Sequence, residues 1–268
     1  MIEQSRPPDR SFIQCIQAQA RIVRALMLRE TMQRYGHENI GFFWLMGEPL
    51  ILALGVMVVW TLLDNTHGTG VAVVPFILTG YTMVSLWRYI IFRAMHCLRY
   101  NAGLLFHMNV RSFDILVARA LLDTIGGLAA FFIAYVPLTL LGLMEPMDDP
   151  LIALGGWVLQ AWLAFGVALN VAALTELVPP SEWVVQPIMY LLLPISGTFF
   201  MVSWLPERYQ QLALWSPLVN VNEMFRGGVF PPDIATYWNA WYVVLWCVVL
   251  TAIGLPLIRI ARNRVHLS

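Results

Sequence analysis

Apolar residues along this chain come in runs too long for a soluble core. Six stretches, 40–63, 71–92, 115–143, 151–174, 183–205 and 237–258, each hold roughly the 20 apolar residues that cross about 30 Å of hydrocarbon. Polar pieces rich in helix breakers separate them: "DNTHGTG" at 64–70, "MEPMDDP" at 144–150 and "ELVPPSE" at 176–182. The pattern predicts an all-α polytopic membrane protein with six transmembrane helices in one domain over 1–268.

Three pieces do not span. In 12–33, Phe12, Ile16, Val23 and Met27 form one stripe, with Gln14, Gln17, Arg21 and Arg24 on the other side. That predicts an amphipathic helix lying in the membrane interface; a helix packed on the rest of the protein is the alternative. The stretch 206–233 is too long for a turn and too polar to span. Its apolar patches (Leu212, Leu214, Trp215; Val219, Val221, Met224, Phe225) predict short helices dipping into the outer interface. Backbone at that depth must bond internally or line a water-filled cavity, which fits either a gate or a packed loop. The third piece, 93–114, mixes arginines with aromatic residues and looks helical around 94–100. It suits docking of a soluble partner, or a solvated loop.

Composition agrees with the runs. The chain is 59% hydrophobic and 12% charged, against about a quarter charged in soluble domains. All 16 cationic residues are arginine, with no lysine. A Walker loop needs a lysine to reach the terminal phosphates, so this chain is not a P-loop ATPase; any driving energy comes from an ion gradient or a partner chain. The arginines are unevenly placed. Six precede the first predicted span, five lie around the 93–114 connection, three follow the last span, and only Arg208 and Arg226 fall on the other side. The positive-inside rule then puts both termini in the cytoplasm. The cysteines Cys15, Cys97 and Cys247 are far apart, with no CxxC or disulfide framework. The polar start "MIEQSRPPDR" lacks the apolar core of a signal peptide.

Catalytic chemistry finds little footing. The histidines show no HExxH spacing, and no serine or cysteine sits in a nucleophile motif. Ionisable residues inside spans are functional candidates by default. Glu48, followed by Pro49 in "GEPL", is the clearest. A carboxylate facing lipid there costs a few kcal/mol, so it should face protein or a water-filled groove, with Pro49 bending the helix. Its reading is a hinge rather than a catalytic acid. Arg119 and Asp123, four apart, read as a pair on one helix face, and Arg111 with Asp114 reads likewise. Most of the 11 tryptophans fall at span ends, where the interfacial aromatic belt accounts for them; aromatic faces also stack on sugar rings. A lipid-modifying intramembrane enzyme stays open as a different class of function.

Three segments carry a resemblance. The lead-in "RYGHENIGFFWLMGEPL", the stretch "GLLFHMNVRSFDILVARALLD" at 103–123 and "WSPLVNVNEMFRGGVF" at 215–230 resemble the inner-membrane permease subunit of capsular polysaccharide ABC exporters. The third occurs more broadly, in permeases for O-antigen and teichoic acid, which remain alternative assignments. The resemblance implies a homodimer in the bacterial inner membrane that moves a lipid-linked acidic polysaccharide. It implies a separate ATP-binding ABC subunit that holds ATP and Mg, no cofactor in this chain and no nucleic acid. Membrane lipids, a periplasmic co-polymerase and an outer-membrane export channel complete the partners.

On that resemblance, Arg24, Arg29, Arg34, Arg88 and Arg93 line a cytoplasmic entrance for an acidic glycan, with Glu48 at the entrance hinge. Trp44, Trp60, Tyr81, Tyr190 and Phe199 offer stacking along the path. Arg21, Arg24, Arg99, Tyr100, Leu104, Leu105, His107 and Arg111 contact the ATPase. Tyr209, Trp215, Pro217, Glu223, Phe225 and Arg226 form the outer gate. No metal site is expected.

Overall fold

The computed structural model describes residues 12–35, 51, 55, 58, 71–95, 97–101 and 111–265. Among these the regular elements are α1 (Phe12–Tyr35), α2 (Val73–Met95), α3 (Cys97–Tyr100), α4 (Ser112–Leu140), α5 (Pro150–Leu177), α6 (Glu182–Ile195), α7 (Glu207–Leu214), α8 (Pro217–Val229) and α9 (Ala240–Val265), with 3₁₀ turns at Pro179–Ser181 and Val202–Trp204. Helices α2, α4, α5 and α9 are long and apolar enough to cross a membrane, and they match four of the six predicted spans to within a few residues. The first predicted span, with Trp44, Glu48 and Trp60, lies outside the described residues except for Ile51, Gly55 and Val58.

The fifth predicted span takes a different form. A continuous helix over 183–205 is replaced by α6, which has 14 residues and so reaches only about 21 Å at 1.5 Å per residue. Pro187 and Pro194 lie inside it, each removing a backbone donor from the helix ladder. At its end Gly197 takes φ +81°, a left-handed conformation open to glycine without strain. The chain leaves the helix there and runs irregularly through 198–201 to the Val202–Trp204 turn. Hydropathy registers that these residues are apolar; it does not register the backbone turn.

Helix α5 is the hub, packed by α9, α2 and α8. Its start is set locally: the Asp149 carboxylate accepts from the N–H groups of Leu151 and Ile152 at 2.9 and 3.1 Å, and Pro150 occupies the first turn, where a missing N–H costs nothing. Two polar side chains tie α5 to α2. Gln160, fully buried, donates to the Met83 carbonyl at 3.1 Å, and Thr175 donates to that of Met95 at 2.8 Å. Phe225 of α8 fills the space between them and α4, with ring centroids 5.3 Å from Phe131 and 5.9 Å from Trp157.

The surface is inverted relative to a soluble protein. Leu121, Ile125, Phe132, Ile133, Val136 and Leu140 of α4, and Leu245, Val249, Ile253 and Ile260 of α9, are exposed, whereas Thr79, Ser85, Asp123, Asn222, Glu223 and Arg226 are buried. Lipid-facing stripes with polar groups turned inward account for this arrangement.

Helix α1 packs on α4. The predicted stripe enters the contact in part: Val23 and Met27 are partly buried against the core with Ile22, beside the buried Leu26 and Glu30, whereas Ile16 is exposed. Polar pairs join the same contact. Gln19 donates to Asp114, and Glu30 lies 3.0 Å from the Arg119 guanidinium, so the carboxylates of the α1–α4 contact are matched inside it.

Candidate functional site

The up-and-down order of the helices gathers cationic residues at one end. Arg93 closes α2, Arg111 and Arg119 open α4, and Arg259 and Arg262 close α9. There the charges are neutralised between helices. The neighbourhood of Arg119 and Asp123 reaches across helices: Arg93 bonds the buried Asp123, and Arg119 forms an ion pair with Glu30 and donates to the Arg93 carbonyl at 3.1 Å. Likewise Asp114 accepts from Gln19 of α1 while Arg111 is exposed. Cross-helix pairing is expected here because a buried carboxylate loses its water and takes a cation that the packing brings against it. Arg93 also lies over the Tyr89 ring, 4.9 Å from its centroid.

Arg88, one turn deeper, belongs to a more open arrangement. Its guanidinium carbon stands 5.0 Å from the centroid of Tyr190 and 5.7 Å from that of Phe92, and Nη2 donates to the Tyr190 hydroxyl at 3.3 Å. Tyr190, on α6, is more than half exposed. Two predicted path residues, Arg88 and Tyr190, are thus brought together as a cation and an aromatic face on one open surface. Tyr81 is half-buried in mid-α2 and Phe199 is exposed in the 198–201 stretch.

The opposite end is organised by α8. Arg226, fully buried, donates through Nη1 to the carbonyls of Gly197 and Phe200 at 2.7 and 2.8 Å and through Nη2 to that of Thr198 at 2.9 Å. It also lies 4.3 Å from the Phe76 ring centroid on α2. Glu223, one turn back, accepts from the N–H of Val202 at 3.2 Å and of Tyr237 at 3.1 Å. Asn222 donates to the Ser196 carbonyl at 2.9 Å, and Asn220 accepts from the Asn239 N–H at 2.9 Å. One short helix therefore supplies the partners for the irregular backbone after α6 and for the approach to α9, as buried non-helical chain requires. Burial pulls the Arg226 pKa down to about 10, with Glu223 opposing the shift, so the guanidinium stays charged at neutral pH. Burial raises that of Glu223, while Arg226 and the two N–H donors oppose the rise. Gly80 of α2 makes room for this clamp: a Cβ there would stand 2.6 Å from the Thr198 carbonyl oxygen and 2.7 Å from Arg226 Nη2.

The six residues predicted for the outer gate divide in two. Glu223, Phe225 and Arg226 are buried in the core and Pro217 begins α8, whereas Tyr209 and Trp215 are exposed. At the arginine end, Arg21 and Arg24 are exposed on α1, and Arg29 is half-buried and donates to Asn101 Oδ1 at 3.3 Å. Tyr100 is largely exposed at the end of α3. The side chains of Arg34 and Arg99, and the residues Leu104, Leu105 and His107, lie outside the described residues. Sequence reasoning passed over Gln160, Asn220 and Asn222. Gln160 had a usable signal, a lone amide within an apolar run; the asparagines, in the stretch "VNVNE", looked like ordinary loop residues.

Long apolar helices, a polar interior, arginines at one end and a buried clamp at the other define an all-helical polytopic membrane protein. No family model matches the chain. Its relatives narrow the class. It is 36% identical over 248 residues, 92% of this chain and 94% of the relative, to the capsule polysaccharide export inner-membrane protein CtrC of Neisseria meningitidis serogroup B. It is 33% identical over 249 residues, 93% and 94% of the two lengths, to the capsule polysaccharide export inner-membrane protein BexB of Haemophilus influenzae. The polysialic acid transport protein KpsM of Escherichia coli is 27% identical over 237 residues, 88% and 92% of the two lengths. The chain belongs to the family of capsule polysaccharide export inner-membrane proteins.

Proposed function

We propose that this chain is the membrane subunit of an ATP-driven exporter that moves a lipid-linked acidic capsular polysaccharide across the inner membrane, as a homodimer with a separate ATP-binding subunit. The observation that carries this reading is the near full-length similarity to capsule export proteins. The absence of lysine supports a partner chain as the ATPase, since a Walker loop cannot be built without one. The arginine-rich end supports a cytoplasmic placement for both termini. The six-span reading adds 40–63 and the α6 region to the four long helices.

In this reading the exposed arginines Arg21 and Arg24, with Tyr100 and Arg111 beside the 102–110 segment, meet the ATPase. ATP-driven closure of the partner pushes α1 and the 93–114 connection, and the Arg93–Asp123 and Arg119–Glu30 relay passes that push into α2 and α4. The Arg88–Tyr190 surface receives acidic sugar units, the cation for their carboxylates and the ring for their apolar faces. The Arg226 clamp holds the far end of the path. A periplasmic co-polymerase and an outer-membrane channel take the chain onward.

The test is replacement of the chromosomal copy. Deleting the gene should abolish surface glycan while polymer accumulates inside, and the purified chain should bring down an ATPase with a Walker loop. Arg88→Gln should lower surface glycan severalfold with ATPase binding unchanged. Normal surface glycan in the deletion strain would end the export reading; normal export with Arg88→Gln would remove Arg88 from the path.

A further inference from the structure

Neither the arginine end nor the clamp uses the cavity of about 580 Å³ between the α7–α8 corner and the approach to α9. Trp215, Tyr237, Trp238 and Tyr242 line it. Three of these rings remain open to the outside, Trp215 at 74%, Tyr237 at 44% and Trp238 at 38%. Yet their frame is tied down. The Tyr242 hydroxyl donates to the Trp215 carbonyl at 2.6 Å, and Asn239 joins both sides by donating its N–H to Asn220 and accepting from the Tyr242 N–H at 3.2 Å. The rings are therefore presented by a preorganised frame, which lowers the cost of binding to them.

The lining states what the groove can take. It contains aromatic rings, the Leu214 side chain, amides and the Thr236 hydroxyl, and no charged side chain. A phosphate or an isolated ion finds no counter-charge in it. A pyranose ring fits the chemistry, its C–H face on the indole or phenol rings and its hydroxyls on amide and hydroxyl groups at the rim. Concavity separates the groove from the neighbouring Trp241 at the start of α9, which is 82% exposed and stands outside the lining, as a belt residue does.

We propose that this groove is a saccharide subsite, holding one or two sugar units of the polymer on the side of the protein opposite the arginine-rich end. The proposal rests on the polysaccharide reading above and adds where the chain is held as it leaves. Because no charge lines the groove, it grips neutral and acidic units alike. It acts as a sequence-tolerant rest point against backward slippage, while selection for acidic glycan stays with the arginines.

The full chain in phosphatidylcholine nanodiscs provides the assay, with maltotetraose and tetragalacturonic acid as probes and saturation-transfer NMR as readout. Both probes should bind, and the pair Trp215→Ala/Trp238→Ala should weaken both roughly tenfold. The pair Trp215→Phe/Trp238→Phe, which keeps a ring at each position, should restore most of the binding. Lack of transfer to either probe in the wild-type protein overturns the proposal, as does equal transfer in the alanine pair. Strong quenching of these two tryptophans by brominated acyl chains, without saccharide transfer, assigns the face to lipid and also overturns it. In cells the alanine pair should reduce surface glycan at unchanged protein level. Full surface glycan in that strain refutes the subsite and leaves the export reading standing; normal glycan after deletion of the gene refutes the export reading itself.

Discussion

Replacing Arg226 with lysine keeps the charge next to Glu223 and removes the planar fork. The fork makes three bonds to carbonyls, those of Gly197, Phe200 and Thr198, all between 2.7 and 2.9 Å, besides a longer one of 3.5 Å to the Thr79 hydroxyl. Hydrogen bonds to charged groups contribute about 1.5–3 kcal/mol each. An ammonium on a flexible stem cannot hold three carbonyls arranged for a guanidinium; with one or two retained, the loss is about 3 kcal/mol. The residue is fully buried, so solvent does not dilute the effect. At about 2–4 °C per kcal/mol for a chain of this size, thermal unfolding in detergent should begin roughly 6–12 °C lower. Limited proteolysis should cut first in 196–204, the segment the fork restrains. A shift within about 1 °C, with that segment still protected, would refute the clamp. A normal melting temperature with lost transport would refute it differently, by making Arg226 a polymer-binding cation rather than a fastener.

Gly80→Ala should phenocopy that change from the opposite helix, because its Cβ would meet the Thr198 carbonyl at 2.6 Å and Arg226 Nη2 at 2.7 Å. Overpacking of this kind costs about 1–3 kcal/mol, and combined with Arg226→Lys the two losses should be less than additive in the same melting assay. Glu223 carries a pH signature. Burial raises its folded pKa above the ordinary value of 4.5, so the folded state holds the extra proton through that window. Its contribution to stability is full below pH 4.5 and is lost as pH rises through the folded pKa. The melting temperature of wild type minus that of Glu223→Gln should therefore fall with rising pH; a difference that is flat, or that rises, would contradict the buried setting of this carboxyl.

The sequence by itself was enough for the membrane class, for four of the spans and for the gathering of arginines at one end. Those properties follow from run length, helical rise and the placement of one residue type, all of them local in the chain. It also carried the family, through segments such as 103–123 and 215–230. The partner of each polar residue was beyond its reach. Arg119 and Asp123 stand four apart, as an intrahelical pair would, and nothing in that spacing tells that the packing also brings Glu30 and Arg93 to them from other helices. Phe225 and Arg226 look like parts of an outer loop until α8 is laid between α2 and α5. The same holds for 183–205, where hydropathy counts apolar residues and two prolines with a left-handed glycine turn the chain aside. Burial and pairing of charge depend on which surfaces meet, and only folding in three dimensions brings residues from 30 to 239 within hydrogen-bond reach of their partners.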